Sequence, residues 1–111
     1  MVNGMSEAKY LLDECIHLPR ESCEAIQAIH ALQIVKMGTT DIDLRKEAMK
    51  RGLVIITKDK EFVLHSMRLN VPVIWRYRGL WYLAKGSFEI LDDPFDKIGE
   101  HCRKNNSVIL P

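Results

Sequence analysis

The stretch Leu53-Val54-Ile55-Ile56-Thr57-Lys58-Asp59-Lys60-Glu61-Phe62 decides how the rest of this chain reads. Leu53 to Ile56 is an unbroken apolar run, mostly β-branched, that follows Gly52 and ends in charge. A short apolar run bounded by turn chemistry is the pattern of a strand buried on both faces, as in the middle of a parallel sheet. Asp59 and Glu61 then lie just past its carboxyl end, the edge of an open α/β sheet where ligands bind. Two acids at that position call for a counter-charge, and a divalent cation is the natural candidate.

Outward from this strand, the same design recurs. Lys9-Tyr10-Leu11-Leu12 is a first strand that delivers Asp13-Glu14 to the same rim. Leu18-Pro19 opens a helix, with Glu21 complementing its dipole and Leu18, Ser22, Ala25, Ile26 and Ile29 facing the sheet. Gln33 to Val35 is read as a second strand. Thr40 followed by Asp43 resembles a capping box, with Asp41 in the first turn, Leu44 and Ala48 inward and Gly52 as the stop. A third helix runs from Glu61 to Arg68 and stops near Asn70, and Val71 to Trp75 is a fourth strand whose proline sits near its start. Asp93-Pro94 starts a last helix, and Ser107 to Leu110 reads as an edge strand. Strands alternating with helices predict a three-layer α/β/α sandwich with a mostly parallel central sheet. Residues 1–8 read as a loose tail and 9–111 as a single domain.

Bulk properties narrow the class. The 111 residues are enough for one modest core, and 47% hydrophobic with 28% charged residues is ordinary for a globular protein. Apolar runs are too short to span a membrane, and the first residues lack the basic start and apolar core of a signal peptide. A net charge of +1 gives no whole-protein field for nucleic acid, so any such binding needs a local patch. Arg76-Tyr77-Arg78-Gly79-Leu80-Trp81-Tyr82 is the basic, aromatic stretch that would supply one. The three cysteines, Cys15, Cys23 and Cys102, form no CxxC pair, which reads as reduced packing thiols in a cytoplasmic protein.

The acids form a constellation if their elements share one rim. Asp13 and Asp59 end strands, and Asp41 opens a helix that follows an outgoing strand. Converging, they make an oxygen-only site suited to magnesium, which can orient a water for attack on a phosphodiester. Each acid also has a plain structural reading: Asp41 as a dipole partner, Asp59 as a helix cap, Glu61 as a first-turn acid, Asp13 and Glu14 as loop solvation.

These residues are similar to a known family. Leu11-Leu12-Asp13-Glu14 resembles the "LLDEN" opening of small prokaryotic PIN-like proteins. Asp41 with Ala48, then Gly52 and the strand into Thr57-Lys58-Asp59-Lys60-Glu61-Phe62, resembles the family's helix and its T-R-D-x-D-F motif. The resemblance covers Lys9 to Trp75. It implies a flavodoxin-like PIN-type topology and a ribonuclease dependent on Mg²⁺ or Mn²⁺ that cleaves RNA with an activated water. Many such proteins are toxins, so an antitoxin protein and a homodimer are expected partners. Carried over, Asp13, Asp41 and Asp59 are the implied metal ligands, and Glu61 matches the second acid of the motif. Thr57 supports the site, and Lys58, where Arg is usual, meets substrate phosphate as a point charge. Arg76 and Arg78 are expected phosphate contacts, with Tyr77, Trp81 and Tyr82 for base stacking. Two departures stand out. Cys15 replaces the Asn of D-E-N, and the short stretch between Asp13 and Asp41 lacks the separate Glu of full-length PIN nucleases, for which Glu14 is a weak substitute. A catalytically silent module that binds RNA or a protein is therefore the alternative. A phospho-receiver domain is set aside, because the fourth strand runs into Trp75-Arg76 rather than a small hydroxyl residue.

Overall fold

A computed structural model describes residues 8–91. The expected tail, except Ala8, the helix from Asp93-Pro94 and the strand Ser107 to Leu110 lie outside those residues.

The described chain runs β1 (Tyr10–Leu12), α1 (Arg20–Ile26), β2 (Ala28–His30), a 3-10 turn (Ala31–Gln33), α2 (Asp41–Arg51), β3 (Val54–Thr57), α3 (Lys60–Arg68), β4 (Val73–Tyr77), β5 (Leu80–Ala84) and β6 (Phe88–Ile90). The six strands form one sheet in the order β2-β1-β3-β4-β5-β6. From β2 to β4 the neighbours are parallel, and β4-β5-β6 is an antiparallel meander.

Local chemistry sets the helix ends. In α2, Thr40 Oγ1 accepts the Asp43 amide at 3.2 Å, Asp41 and Asp43 fill the first turn, and Gly52 closes the helix at φ 70°. Glycine is needed there for its backbone alone, since the space around it is open. Asp59 caps α3, and Asn70 at φ 61° turns the chain away just beyond its end, where the sequence predicts the stop.

Strand alternation divides the core in two. Leu11, Ile55 and Val73 stand in register on one face and pack with Leu44, Ala48, Phe62 and Val63 of α2 and α3. Leu12, Ile56 and Ile74 stand in the next row, face the other way and pack with Ile16, Ile26 and Trp81. All of these side chains are 9% exposed or less, so the central strands are buried on both faces, as their apolar runs require.

The structure corrects the predicted fold class. A mostly parallel, flavodoxin-like sandwich of PIN-type topology is not what the chain forms: its C-terminal half is the antiparallel meander, and among the described residues only the seven-residue α1 covers the second face. What forms is a small mixed α/β domain. The physical cause is the turn at Arg78-Gly79, with φ 50° and 81°, which folds β5 directly back on β4. The second strand is also displaced. Gln27 at φ 61° ends α1, and Ala28–His30 pairs with β1, while Gln33 falls in the 3-10 turn.

Candidate functional site

The parallel half of the sheet brings the acids of distant segments to one rim. The Asp13 amide donates to the Ile56 carbonyl at 2.9 Å, extending the β1–β3 ladder past the strand end. Asp13 is thereby set beside Thr57, and alternation puts both on the sheet face that α2 and α3 cover. Thr57, fully buried, donates its hydroxyl to Asp13 Oδ2 at 2.8 Å and accepts the Asp59 amide at 3.1 Å. Asp13 Oδ1 accepts the Glu14 amide at 2.8 Å. Cys15 Sγ lies 3.5 Å from Asp13 Oδ2 and 3.6 Å from Thr57 Oγ1. Burial is the main reason the Cys15 thiol is raised above its ordinary value, with the charge of Asp13 adding to it. It stays protonated and donates, a weak substitute for an amide.

Asp59 and Asp41 each sit at a helix start. Asp59 Oδ1 accepts the amides of Glu61 at 2.9 Å and Phe62 at 3.4 Å, which fixes the carboxylate at the mouth of α3. Asp41 opens α2. Its carboxyl is raised above the ordinary range by burial first, then by the negative charges of Asp13 and Asp59, against the opposing pull of Arg45 and His65. The charges of Asp13 and Asp59 thus reach Asp41, although the three come from separate segments of the chain.

The remaining predicted residues separate. Glu14, Lys58 and Glu61 are exposed beside the site. Arg78 is exposed in the β4–β5 turn, its guanidinium 5.2 Å from the Tyr77 ring. Arg76 is buried on the opposite face, 4.4 Å from the Trp81 ring, so neither stands with the acids.

Sequence reasoning missed Arg45. Four residues on from Asp41 it is 4% exposed, lies 4.6 Å from the Phe62 ring, and donates from Nε to Ser66 Oγ at 3.1 Å. Burial lowers its pKa, and Asp41 partly restores it. The Asp41/Arg45 spacing, one helical turn on a predicted helix, is the signal that would have found it. A cleft of about 860 Å³ lined by His17, Cys23 and His30 opens on the other sheet face, away from the acids.

The donor set is carboxylate oxygen, which suits Mg²⁺ or Mn²⁺, ions that keep several waters beside one or two carboxylates. Among the described residues no group of three or more His, Cys, Asp or Glu side chains is placed to hold a metal ion. Comparison with models of protein families, with characterised proteins and with solved structures finds no match to this chain. Among the described residues no helix is long and apolar enough to cross a membrane.

Proposed function

We propose that this chain is a small metal-dependent ribonuclease of the PIN-like kind that its acid-bearing segments resemble, acting in the cytoplasm as the toxin of a toxin–antitoxin pair. One observation carries the reading. The Thr57 hydroxyl joins the Asp13 carboxylate to the Asp59 backbone, so acids from two distant segments are held at one lip by a buried polar group.

In this reading Asp13, Asp41 and Asp59 hold the cation, with Asp13 oriented by Thr57 and Asp59 by the start of α3. A bound Mg²⁺ or Mn²⁺ supplies charge neutralisation at the phosphate and acidifies a water. Glu61, exposed beside Asp59, would be the base for the attacking water, and Lys58 would meet a phosphate oxygen as a point charge. The test is cleavage of a mixed RNA pool with Mg²⁺ or Mn²⁺ and with EDTA, comparing the intact protein with Asp13→Asn and Asp59→Asn. Equal cleavage by all three sinks the assignment.

A second reading, a silent module that binds RNA or a protein, draws on the structural employment of the same groups: Asp59 Oδ1 caps α3, and Asp13 Oδ2 is taken up by Thr57. Thermal unfolding with added Mn²⁺ separates the two. Metal at a hundred times its Kd stabilises a working site by about 2.7 kcal/mol. An unchanged melting temperature at millimolar Mn²⁺ favours the silent module.

A further inference from the structure

The sheet face that carries the acids continues, beyond β3, into a cluster of aromatic rings. Register places Thr57 beside Trp75 and Trp75 beside Tyr82. Asp13, Thr57, Trp75 and Tyr82 therefore form one cross-sheet row, and Trp75 is about 10 Å from Asp13, two strand spacings away. The Trp75 and Tyr77 rings stack at 4.4 Å, Phe88 lies 5.4 Å from Trp75, and Tyr82 meets Phe88 edge-on at 6.5 Å. Tyr77 is 39% exposed and Phe88 46%, with Ile90 on the same face at 55%. Large rings left this open at the rim of a site ask for a flat apolar occupant.

Charge says which. Arg78 stands over Tyr77 at one turn, and Lys85 is exposed at the other. The one acid in the sequence from Val73 to Ile90 is Glu89, which pairs with Leu83 and so points to the opposite face. Beyond β3 the aromatic part of this face has Arg78 and Lys85 at its turns and no acid of its own, which is complementary to a polyanion with exposed rings whose backbone then runs on to the acids.

We propose that Trp75, Tyr77, Tyr82 and Phe88 form a stacking platform that holds unpaired bases of RNA and leads its backbone, past Arg78 and Lys85, to the acids. The polymer's identity rests on the ribonuclease reading; the platform rests on the rings and charges. Stacking uses the faces of bases, which a duplex hides, so the substrate class is single-stranded RNA. Arg76 and Trp81 take no part, since both are buried on the other face.

The test is anisotropy of a short, unstructured, labelled RNA with the full chain in EDTA, where metal-dependent cleavage is off. Expected are binding with quenching of tryptophan fluorescence, and binding at least tenfold weaker for a duplex of the same sequence. Tyr77→Ala and Phe88→Ala, both exposed positions checked for folding by circular dichroism, should each weaken binding about tenfold. Arg78→Glu and Lys85→Glu should weaken it and flatten its salt dependence. RNA affinity unchanged by the two ring variants overturns the platform. A change in mass by sedimentation with RNA affinity intact also overturns it, and makes the face a self-association surface. The nuclease reading fails separately: ring-dependent binding without metal-dependent cleavage keeps the platform and removes the enzyme, and cleavage indifferent to the rings does the reverse.

Discussion

Thr57 donates to Asp13 across 2.8 Å with its own side chain fully buried, so the orientation of an acid in β1 is set by a hydroxyl at the end of β3. Replacing Thr57 by Val keeps the shape and removes the bond, leaving Asp13 Oδ2 without its strongest partner. The expected cost is about 1–2 kcal/mol in denaturant unfolding, together with weaker stabilisation by Mn²⁺. Thr57→Ser should keep most of both. A Thr57→Val protein with unaltered metal response would show that the bond serves the fold alone.

Asp41 should titrate above the ordinary carboxylate range in a carbon-detected NMR titration. Its pKa is raised by burial and by two like charges, and a raised carboxyl stabilises the fold below its ordinary pKa. That contribution is lost as pH rises through the raised value. Asp13→Asn or Asp59→Asn should move the Asp41 midpoint down, and so should Mg²⁺, which favours the charged form. An Asp41 midpoint indifferent to both variants would separate the carboxylates.

Arg45 is a structural cation behind the acids. Arg45→Ala removes the guanidinium from over the Phe62 ring, leaves a cavity, and takes one donor from the Ser66 hydroxyl, which keeps its bond to the Phe62 carbonyl at 2.8 Å. A loss of about 2–4 kcal/mol is expected by urea unfolding. Arg45→Met fills the space without burying a charge and should cost about 1 kcal/mol or less. A loss for Met as large as for Ala would mean that the charge and its hydrogen bond, not the packing, are what count.

The Arg78-Gly79 turn holds two successive residues at positive φ. Gly79→Val should destabilise by about 1–2 kcal/mol through backbone strain alone, because the space around Gly79 is open. Arg78→Asn, which tolerates that backbone better, should leave stability equal or higher while weakening RNA binding. Thermal unfolding and anisotropy on the same pair of variants check both halves.

The parallel half of the sheet and its acidic rim could be read from the chain because buried strands and helix starts have strong local signatures: Leu53 to Ile56, Thr40 with Asp43, and Gly52 all act where their chemistry predicts. The meander could not be read that way. Val73 to Tyr77 alternates faces through large side chains on both sides, and the two-residue turn that governs Tyr77 to Tyr82 carries only one glycine among basic and aromatic residues. The displaced β2 has a similar origin. Ile29 continues the apolar spacing of α1, and nothing local announces that Gln27 adopts the left-handed conformation that ends the helix. Arg76 falls away from the acids because one residue of alternation separates the acid-bearing side of β4 from its reverse.

The rows Leu11–Ile55–Val73 and Leu12–Ile56–Ile74 have a consequence for the rim. A slip of β3 by one residue against β1 would carry Thr57 through the sheet and turn its hydroxyl away from Asp13. The same slip would push Ile55 and Ile56 into the wrong cores. The register that buries the isoleucines is thus the same one that aims this hydroxyl at its carboxylate, so a change that shifts the strand costs interior and rim together.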